Sequence, residues 1–194
     1  MSQPVDLSTL PPWKKKLPMA LTIARMAVCP LFIPLIAADK TLFNWIAAAI
    51  FIAASITDWA DGHFARKYGA ISNMGKFMDP IADKILVATV LIMMIPEGRV
   101  RPELVLLLLC RDILIGGIRS VAAADRVVID AKAAGKWKTA MQMVAIPALL
   151  VGKPLMGIPL FEIGAVLLWV SVILSIVSGF QYVRIYMENR KADA

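Results

Sequence analysis

The sequence carries six apolar runs, and this succession constrains the fold more than any other feature: five are close to the length that crosses a lipid bilayer, and the fifth in order is shorter and interrupted by Pro147. A spanning helix needs about 20 mostly apolar residues, because lipid offers no hydrogen bonds to the backbone. Hydrophobic residues make up 59% of the 194 residues, well above the roughly 45–50% of soluble domains. We therefore predict an all-α polytopic membrane protein with six transmembrane helices, near residues 17–38, 42–60, 77–95, 104–123, 139–151 and 160–182.

The segments at the two ends are more polar than the region between them. Residues 1–16 are predicted to be an N-terminal juxtamembrane segment, 17–187 a six-helix transmembrane domain, and 188–194 a C-terminal tail. We expect Pro12 and Pro18 to separate the first segment from the first span, because proline removes a helix hydrogen bond.

The basic residues predict the orientation of the chain in the membrane. The formal net charge is +7, which in a soluble protein would suggest nucleic acid, but here the charges lie in short segments between apolar runs. Fourteen Lys and Arg residues, including Arg119 at the end of the fourth run, fall on the side of the termini, against four on the other side. Positive charge accumulates on the cytoplasmic side. We therefore predict a multi-pass protein of the cell inner membrane with cytoplasmic termini, and no nucleic acid partner.

Four aspartates at helical spacing form the most informative polar feature. Asp58 and Asp61 are three residues apart at the end of the second run, and Asp79 and Asp83 are four apart at the start of the third. Each pair should share one helix face. A central aspartate costs about 2.5–3.5 kcal/mol in a membrane, which an aqueous cavity and bound cations can relieve. Carboxylate sites favour Mg²⁺ or Mn²⁺, and four carboxylates are enough for two ions.

Other residues of this stretch suit a nucleotide and place the aspartates near water. Gly62 and Gly75 allow close approach to the backbone, and Arg66 is suited to a phosphate. Pro80 is expected near a helix start, which would put Asp79 in the first turn of its helix. The alternative, that these are ordinary acids at the ends of spans, leaves the glycines beside them without a role.

These residues together resemble a known signature. The stretch is similar to the motif of the CDP-alcohol phosphotransferases, a family with a six-helix membrane architecture. The matching positions are Asp58-x2-Asp61-Gly62-x2-Ala65-Arg66-x8-Gly75-x3-Asp79-x3-Asp83.

The resemblance implies a reaction and a role for each position. The four aspartates would bind two divalent ions, Mg²⁺ or Mn²⁺, and Asp83 would also take the proton of an acceptor hydroxyl as general base. The hydroxyl would attack the phosphorus of a CDP-linked lipid, and CMP would leave. The remaining positions, Gly62, Ala65, Arg66 and Gly75, would line the CDP pocket. Residues 17–187 would then be the catalytic domain, and the family likeness implies a homodimer.

Basic residues outside this motif bear on the acceptor. Arg25 lies in the first run, Arg111 and Arg119 lie in the fourth, and Lys136 and Lys138 open the fifth. We expect all five near the cytoplasmic end of the helix bundle. Cations that converge at one membrane depth predict a phosphate-binding pocket. The last three could instead be cytoplasmic anchors, and Asp112 could pair with one of the arginines.

Two segments resemble the phosphatidylglycerophosphate synthase branch of the family. They are Leu21-Thr22-x2-Arg25 and the stretch from Arg111-Asp112 through Arg119 to Gly135-Lys136-Trp137-Lys138-Thr139-x2-Gln142. This likeness implies that CDP-diacylglycerol is the donor and glycerol 3-phosphate the acceptor. The acceptor phosphate would be bound by Thr22, Arg25, Arg111, Arg119, Lys136 and Lys138.

Two other functions remain open at this stage. The cardiolipin synthase branch, whose acceptor is phosphatidylglycerol, shares an Arg-Asp pair and a similar Lys-x-Thr-x2-Gln stretch. A cation-coupled membrane carrier would also place carboxylates within a bilayer. A carrier, however, is expected to carry them near the midplane and to show inverted repeats, whereas the sequence shows no repeat.

Overall fold

A computed structural model describes the backbone of residues 12–68, 73–124, 133–155 and 157–192, and the side chains of residues 20, 22–57, 81–122, 135–155 and 157–188. Over these residues the chain is helical and contains no strand, which confirms the all-α prediction. Each predicted span corresponds to one helix. The six helices are α1 Pro12–Ala37, α2 Thr41–Tyr68, α3 Asn73–Met93, α4 Pro102–Ala124, α5 Ala133–Val151 and α6 Leu160–Ala192.

Two of the proline-based predictions are wrong. Helix α1 begins at Pro12 and continues through Pro18 without interruption, so the first segment is not separated from the first span. Pro12 is the first helical residue, where its missing N–H costs nothing. Helix α3 begins at Asn73, so Asp79 lies past the first turn and Pro80 lies within the helix. A single lost hydrogen bond is tolerated in such helices because neighbouring groups can satisfy the freed carbonyl.

One helix in the described part of the chain is long and apolar enough to cross a membrane, namely Leu160–Glu188 in α6. Thr22–Ala37 and Thr41–Thr57 are apolar helical segments of shorter length. Charged residues such as Arg111 and Asp112 interrupt the apolar stretch of α4. The structure therefore confirms that the described residues form six helices. That all six cross a membrane remains a prediction.

The chain forms two compact units, Met1–Met93 and Met94–Ala194. In the first unit α1 packs against both α2 and α3. The large side chains of Phe32, Phe51 and Leu86, one from each helix, are completely or almost completely buried. Helix α1 is therefore the element that holds α2 and α3, which carry the predicted aspartates, in one unit.

In the second unit α6 packs against both α4 and α5. The approach of α5 is close at Gly164, where an added Cβ would lie 2.9 Å from Leu149 Cγ and 3.0 Å from the carbonyl oxygen of Ala145. At this same C-terminal end of α5, Arg99 Nη1 donates a hydrogen bond to the carbonyl oxygen of Leu150. A cation at this place stabilises the C-terminal end of a helix.

Helix α6 buries several serines and exposes many large apolar residues. Ser171 and Ser175 are 0% and 1% exposed, whereas Ile173 and Phe180 are 58% and 75% exposed. A helix on the surface of a soluble protein has the opposite arrangement. Small polar residues between helices and large apolar residues outside are typical of helices surrounded by lipid.

Candidate active site

The two helices predicted to carry the carboxylates exist and extend well past these residues. Asp58 lies ten residues before the end of α2 at Tyr68, and Asp83 lies ten residues after the start of α3 at Asn73. Each of the two is thus about 15 Å along its helix from the connection between α2 and α3. Two consecutive helices that run antiparallel side by side would hold these two carboxylates at the same level.

Of the four predicted metal ligands, the structure describes the side chain of one. Asp83 is half-buried, while the side chains of Asp58, Asp61 and Asp79 lie outside the described residues. No group of three metal-ligating side chains occurs among those described, and that set includes only one of the four predicted ligands. The metal site therefore remains a prediction.

The residues predicted to line the CDP pocket flank the carboxylates on the same two helices. Gly62, Ala65 and Arg66 belong to the last two turns of α2, and Gly75 belongs to the first turn of α3. Their side-chain surroundings lie outside the described residues, and their role stays a prediction.

Thr22 and Arg25 lie one turn apart in α1 and are 3% and 5% exposed. An arginine in a helix of this type is costly to bury unless it has a specific task or partner. Cys29, one turn further along, contacts the backbone carbonyl of Arg25 through its thiol. The burial of both side chains distinguishes them from surface anchors.

The second unit contains a charged cluster that joins three helices. Lys138 on α5 places its Nζ 2.5 and 2.7 Å from the two carboxylate oxygens of Asp112 on α4. Arg111 Nη1 lies 3.0 Å from Asp112 Oδ1. The same guanidinium donates to α6, from Nε to the Ser175 carbonyl oxygen at 2.9 Å and from Nη2 to Ser178 Oγ at 2.6 Å. We call these five residues the Asp112 cluster.

This cluster brings together two of the predicted phosphate-binding cations. Lys138 is 5% exposed, so it is not an anchor that reaches out to lipid headgroups. Two cations share one carboxylate, and the three charges sum to +1. The pairing of Asp112 with Arg111 agrees with the sequence-based expectation, whereas its pairing with Lys138, 26 residues away, was not anticipated.

Two buried polar atoms of the second unit have unused hydrogen-bonding capacity. Gln142 Nε2, one turn beyond Lys138 on α5, and Ser175 Oγ have no hydrogen-bond partner among the described residues. Buried polar groups are nearly always satisfied, so these two atoms are places where a hydrogen bond to a water or a polar ligand would be favourable. The serine spacing of α6 was a sequence signal for this polar interior that the sequence-based analysis did not use.

The other two predicted phosphate ligands of this unit are exposed. The Arg119 guanidinium lies over the ring of Tyr182, 5.3 Å from its centroid, and Tyr182 is buried on α6. Lys136 is exposed near the start of α5. Arg119 thus has a defined position despite its exposure, and Tyr182 is a residue that the sequence-based analysis did not single out.

Comparison with known proteins agrees with this arrangement. Residues 15–177 match the sequence profile described as CDP-alcohol phosphatidyltransferase. This match covers most of the chain, which therefore belongs to the CDP-alcohol phosphatidyltransferase family, a family of membrane transferases.

Three similar curated proteins are named as CDP-diacylglycerol–glycerol-3-phosphate 3-phosphatidyltransferases. The chain is 40% identical over 169 residues to the CDP-diacylglycerol–glycerol-3-phosphate 3-phosphatidyltransferase of Rickettsia typhi, covering 87% of this chain and 95% of the relative. It is 35% identical to the Bacillus subtilis protein of that name, covering 86% and 92%. It is 37% identical to CDP-diacylglycerol–glycerol-3-phosphate 3-phosphatidyltransferase 2 of Arabidopsis thaliana, covering 87% and 78%.

Proposed function

We propose that this protein is a phosphatidylglycerophosphate synthase, which transfers a phosphatidyl group from CDP-diacylglycerol to glycerol 3-phosphate and releases CMP. The observation that carries the proposal is the complete, spaced carboxylate motif on two consecutive helices of a chain that belongs to this family. The names of its relatives support the choice of acceptor.

In the proposed donor half, Asp58, Asp61, Asp79 and Asp83 hold two divalent ions. Their donor set fits Mg²⁺ or Mn²⁺, because it consists of hard carboxylate oxygens at three- and four-residue spacing on helices. Such ions, when bound, neutralise the diphosphate and stabilise the leaving oxygen. The CDP moiety lies against the remaining motif residues, Gly62, Ala65, Arg66 and Gly75.

The proposed reaction is an in-line displacement at phosphorus. Asp83 accepts the proton of the glycerol 3-phosphate hydroxyl, whose oxygen forms a bond to the phosphorus that carries the diacylglycerol. The bond between that phosphorus and the oxygen of CMP breaks, and CMP leaves with the electron pair. Phosphoryl transfer depends mainly on position and charge stabilisation. The half-buried site of Asp83 suits a base that must be both close to the substrate and accessible to water.

In the proposed acceptor half, the phosphate of glycerol 3-phosphate is bound by Thr22, Arg25, Arg111, Arg119, Lys136 and Lys138. The positive excess of the Asp112 cluster supports an anionic acceptor. The unused donor at Gln142 Nε2 supports a polar ligand close to that cluster.

The proposed setting is the inner membrane, with six spans, cytoplasmic termini and a cytoplasmic active site. The reversed polarity of α6 supports a lipid environment for this helix. The distribution of basic residues supports the orientation. Family likeness supports a homodimer.

The experiment that tests this function compares acceptors. Protein purified in detergent is given CDP-diacylglycerol and Mg²⁺, and CMP release is measured with glycerol 3-phosphate, with phosphatidylglycerol and with neither. We expect CMP release when the acceptor is glycerol 3-phosphate and not under the other two conditions. EDTA should abolish this CMP release, and added Mg²⁺ or Mn²⁺ should restore it. Release that requires phosphatidylglycerol would assign the protein to the cardiolipin synthase branch, and the absence of release with every acceptor would contradict a transferase of this kind.

A further inference from the structure

Asp112 lies outside the four-aspartate motif but is the carboxylate that pairs with two buried or half-buried cations. Its carboxylate is 18% exposed and contacts both Arg111, its neighbour on α4, and Lys138 on α5. The side chain of Lys138 is only 7% exposed. One carboxylate therefore holds two cations from different helices in a largely buried place.

The two cations differ in the stiffness of their side chains. Arg111 has a planar guanidinium with further hydrogen bonds to Ser175 and Ser178 on α6. Lys138 has a flexible four-carbon side chain, so the place of its ammonium group depends strongly on the partner at its end. Without the carboxylate of Asp112, two like charges would remain close together in a medium of low dielectric constant and would move apart.

We propose that Asp112 is a positioning residue that sets the distance between Arg111 and Lys138 and so determines how tightly the acceptor phosphate binds. This inference rests on the proposed function, in which these two cations bind glycerol 3-phosphate. Asp112 itself contacts no substrate in this account. It acts through the two cations on either side of its carboxylate.

A pure charge effect and a positioning effect predict opposite results when Asp112 is neutralised. Asp112→Asn removes a negative charge beside an anion-binding site, so electrostatics alone would make glycerol 3-phosphate bind more tightly. A positioning role predicts weaker binding, because the two cations no longer converge. Displacement of binding groups by about 1 Å can cost up to 100-fold, and loss of the group that orients a metal-ligating side chain, an analogous positioning effect, typically costs about 10- to 100-fold.

The test measures steady-state kinetics of CMP release in the purified full-length protein. For Asp112→Asn we expect the KM for glycerol 3-phosphate to rise on the order of 10-fold, with the KM for CDP-diacylglycerol unchanged. A purely structural role would instead lower the active fraction and leave both KM values unchanged. Glu188→Gln is the matched control, because it neutralises an exposed carboxylate of α6 that pairs with Arg184, and it should leave both KM values unchanged.

Asp112→Glu tests the same idea in a variant that keeps the charge. The extra methylene shifts the carboxylate, so we expect a smaller rise in the KM for glycerol 3-phosphate than in Asp112→Asn. A wild-type KM in Asp112→Glu overturns the proposal even if Asp112→Asn does not fold. An unchanged or lowered KM in Asp112→Asn overturns it as well. Failure of the proposed function would look different, because the wild-type protein itself would then release no CMP with glycerol 3-phosphate.

Discussion

At the scale of single residues, Asp83 has two roles in the proposed reaction: it is a metal ligand and the general base that accepts the hydroxyl proton. Asp83→Asn retains an oxygen ligand but cannot accept the hydroxyl proton. We expect kcat to fall about 10²–10⁴-fold, the usual contribution of a general base, while Mn²⁺ binding measured by electron paramagnetic resonance is largely retained. Glu103→Gln, at an exposed carboxylate paired with Arg101, is the control. Turnover close to wild type would remove Asp83 as the base.

Arg119 tests whether an exposed cation binds the acceptor or only anchors the helix. Its guanidinium lies over the ring of Tyr182, a contact worth about 0.5–1 kcal/mol at an exposed site. Arg119→Ala should raise the KM for glycerol 3-phosphate with little change in kcat. Tyr182→Leu should raise it about two- to fivefold by releasing Arg119, whereas Tyr182→Phe keeps the ring and should resemble wild type. If Arg119→Ala leaves the KM unchanged, Arg119 is an anchor.

At the scale of elements, the packing of α5 on α6 depends on the absence of a side chain at Gly164. A Cβ there would meet Leu149 and the backbone of Ala145. We expect Gly164→Val to destabilise the protein by about 1–3 kcal/mol through overpacking, seen as a lower melting temperature in detergent. Gly117→Ala on α4, where an added Cβ meets nothing within 4 Å, should be neutral or slightly stabilising. Equal melting temperatures for the two variants would contradict this close packing.

The existence and order of all six helices could be predicted because each contains an apolar run, although the run in α5 is shorter than a full span. The residues at which these helices end could not be predicted. Helices α2 and α6 continue for eight and ten residues past the predicted spans, to Tyr68 and Ala192. Hydropathy marks the part of a helix that suits lipid, whereas a helix ends where its backbone hydrogen bonds end. The predicted effects of Pro18 and Pro80 were too strong for a separate reason: one missing hydrogen bond does not end a long helix.

The candidate site shows a similar division between local pattern and tertiary contact. The carboxylate motif could be recognised because its spacing is local along two consecutive helices. The pairing of Lys138 with Asp112 could not, because it depends on how α4 and α5 are placed around α6. The sequence predicts Arg111 and Lys138 as phosphate-binding cations, and the structure adds that one carboxylate contacts both.

At the scale of the whole molecule, the outward apolar side chains of α6 imply that lipid is its natural surrounding. Ile173 and Phe180 are more than half exposed, which would be costly in water. We expect the protein to stay in the membrane pellet after washing with alkaline carbonate and to be released only by detergent. Release by carbonate or by high salt would contradict an integral membrane protein.

The central claim, transfer of a phosphatidyl group to glycerol 3-phosphate, is tested most directly by following the acceptor into the product. Radiolabelled glycerol 3-phosphate is incubated with the purified protein, CDP-diacylglycerol and Mg²⁺, and the label in the organic phase is measured together with released CMP. The account predicts that label enters a phospholipid in equal amount to CMP, and that Asp83→Asn lowers both rates about 10²–10⁴-fold. CMP release without label in lipid would contradict it.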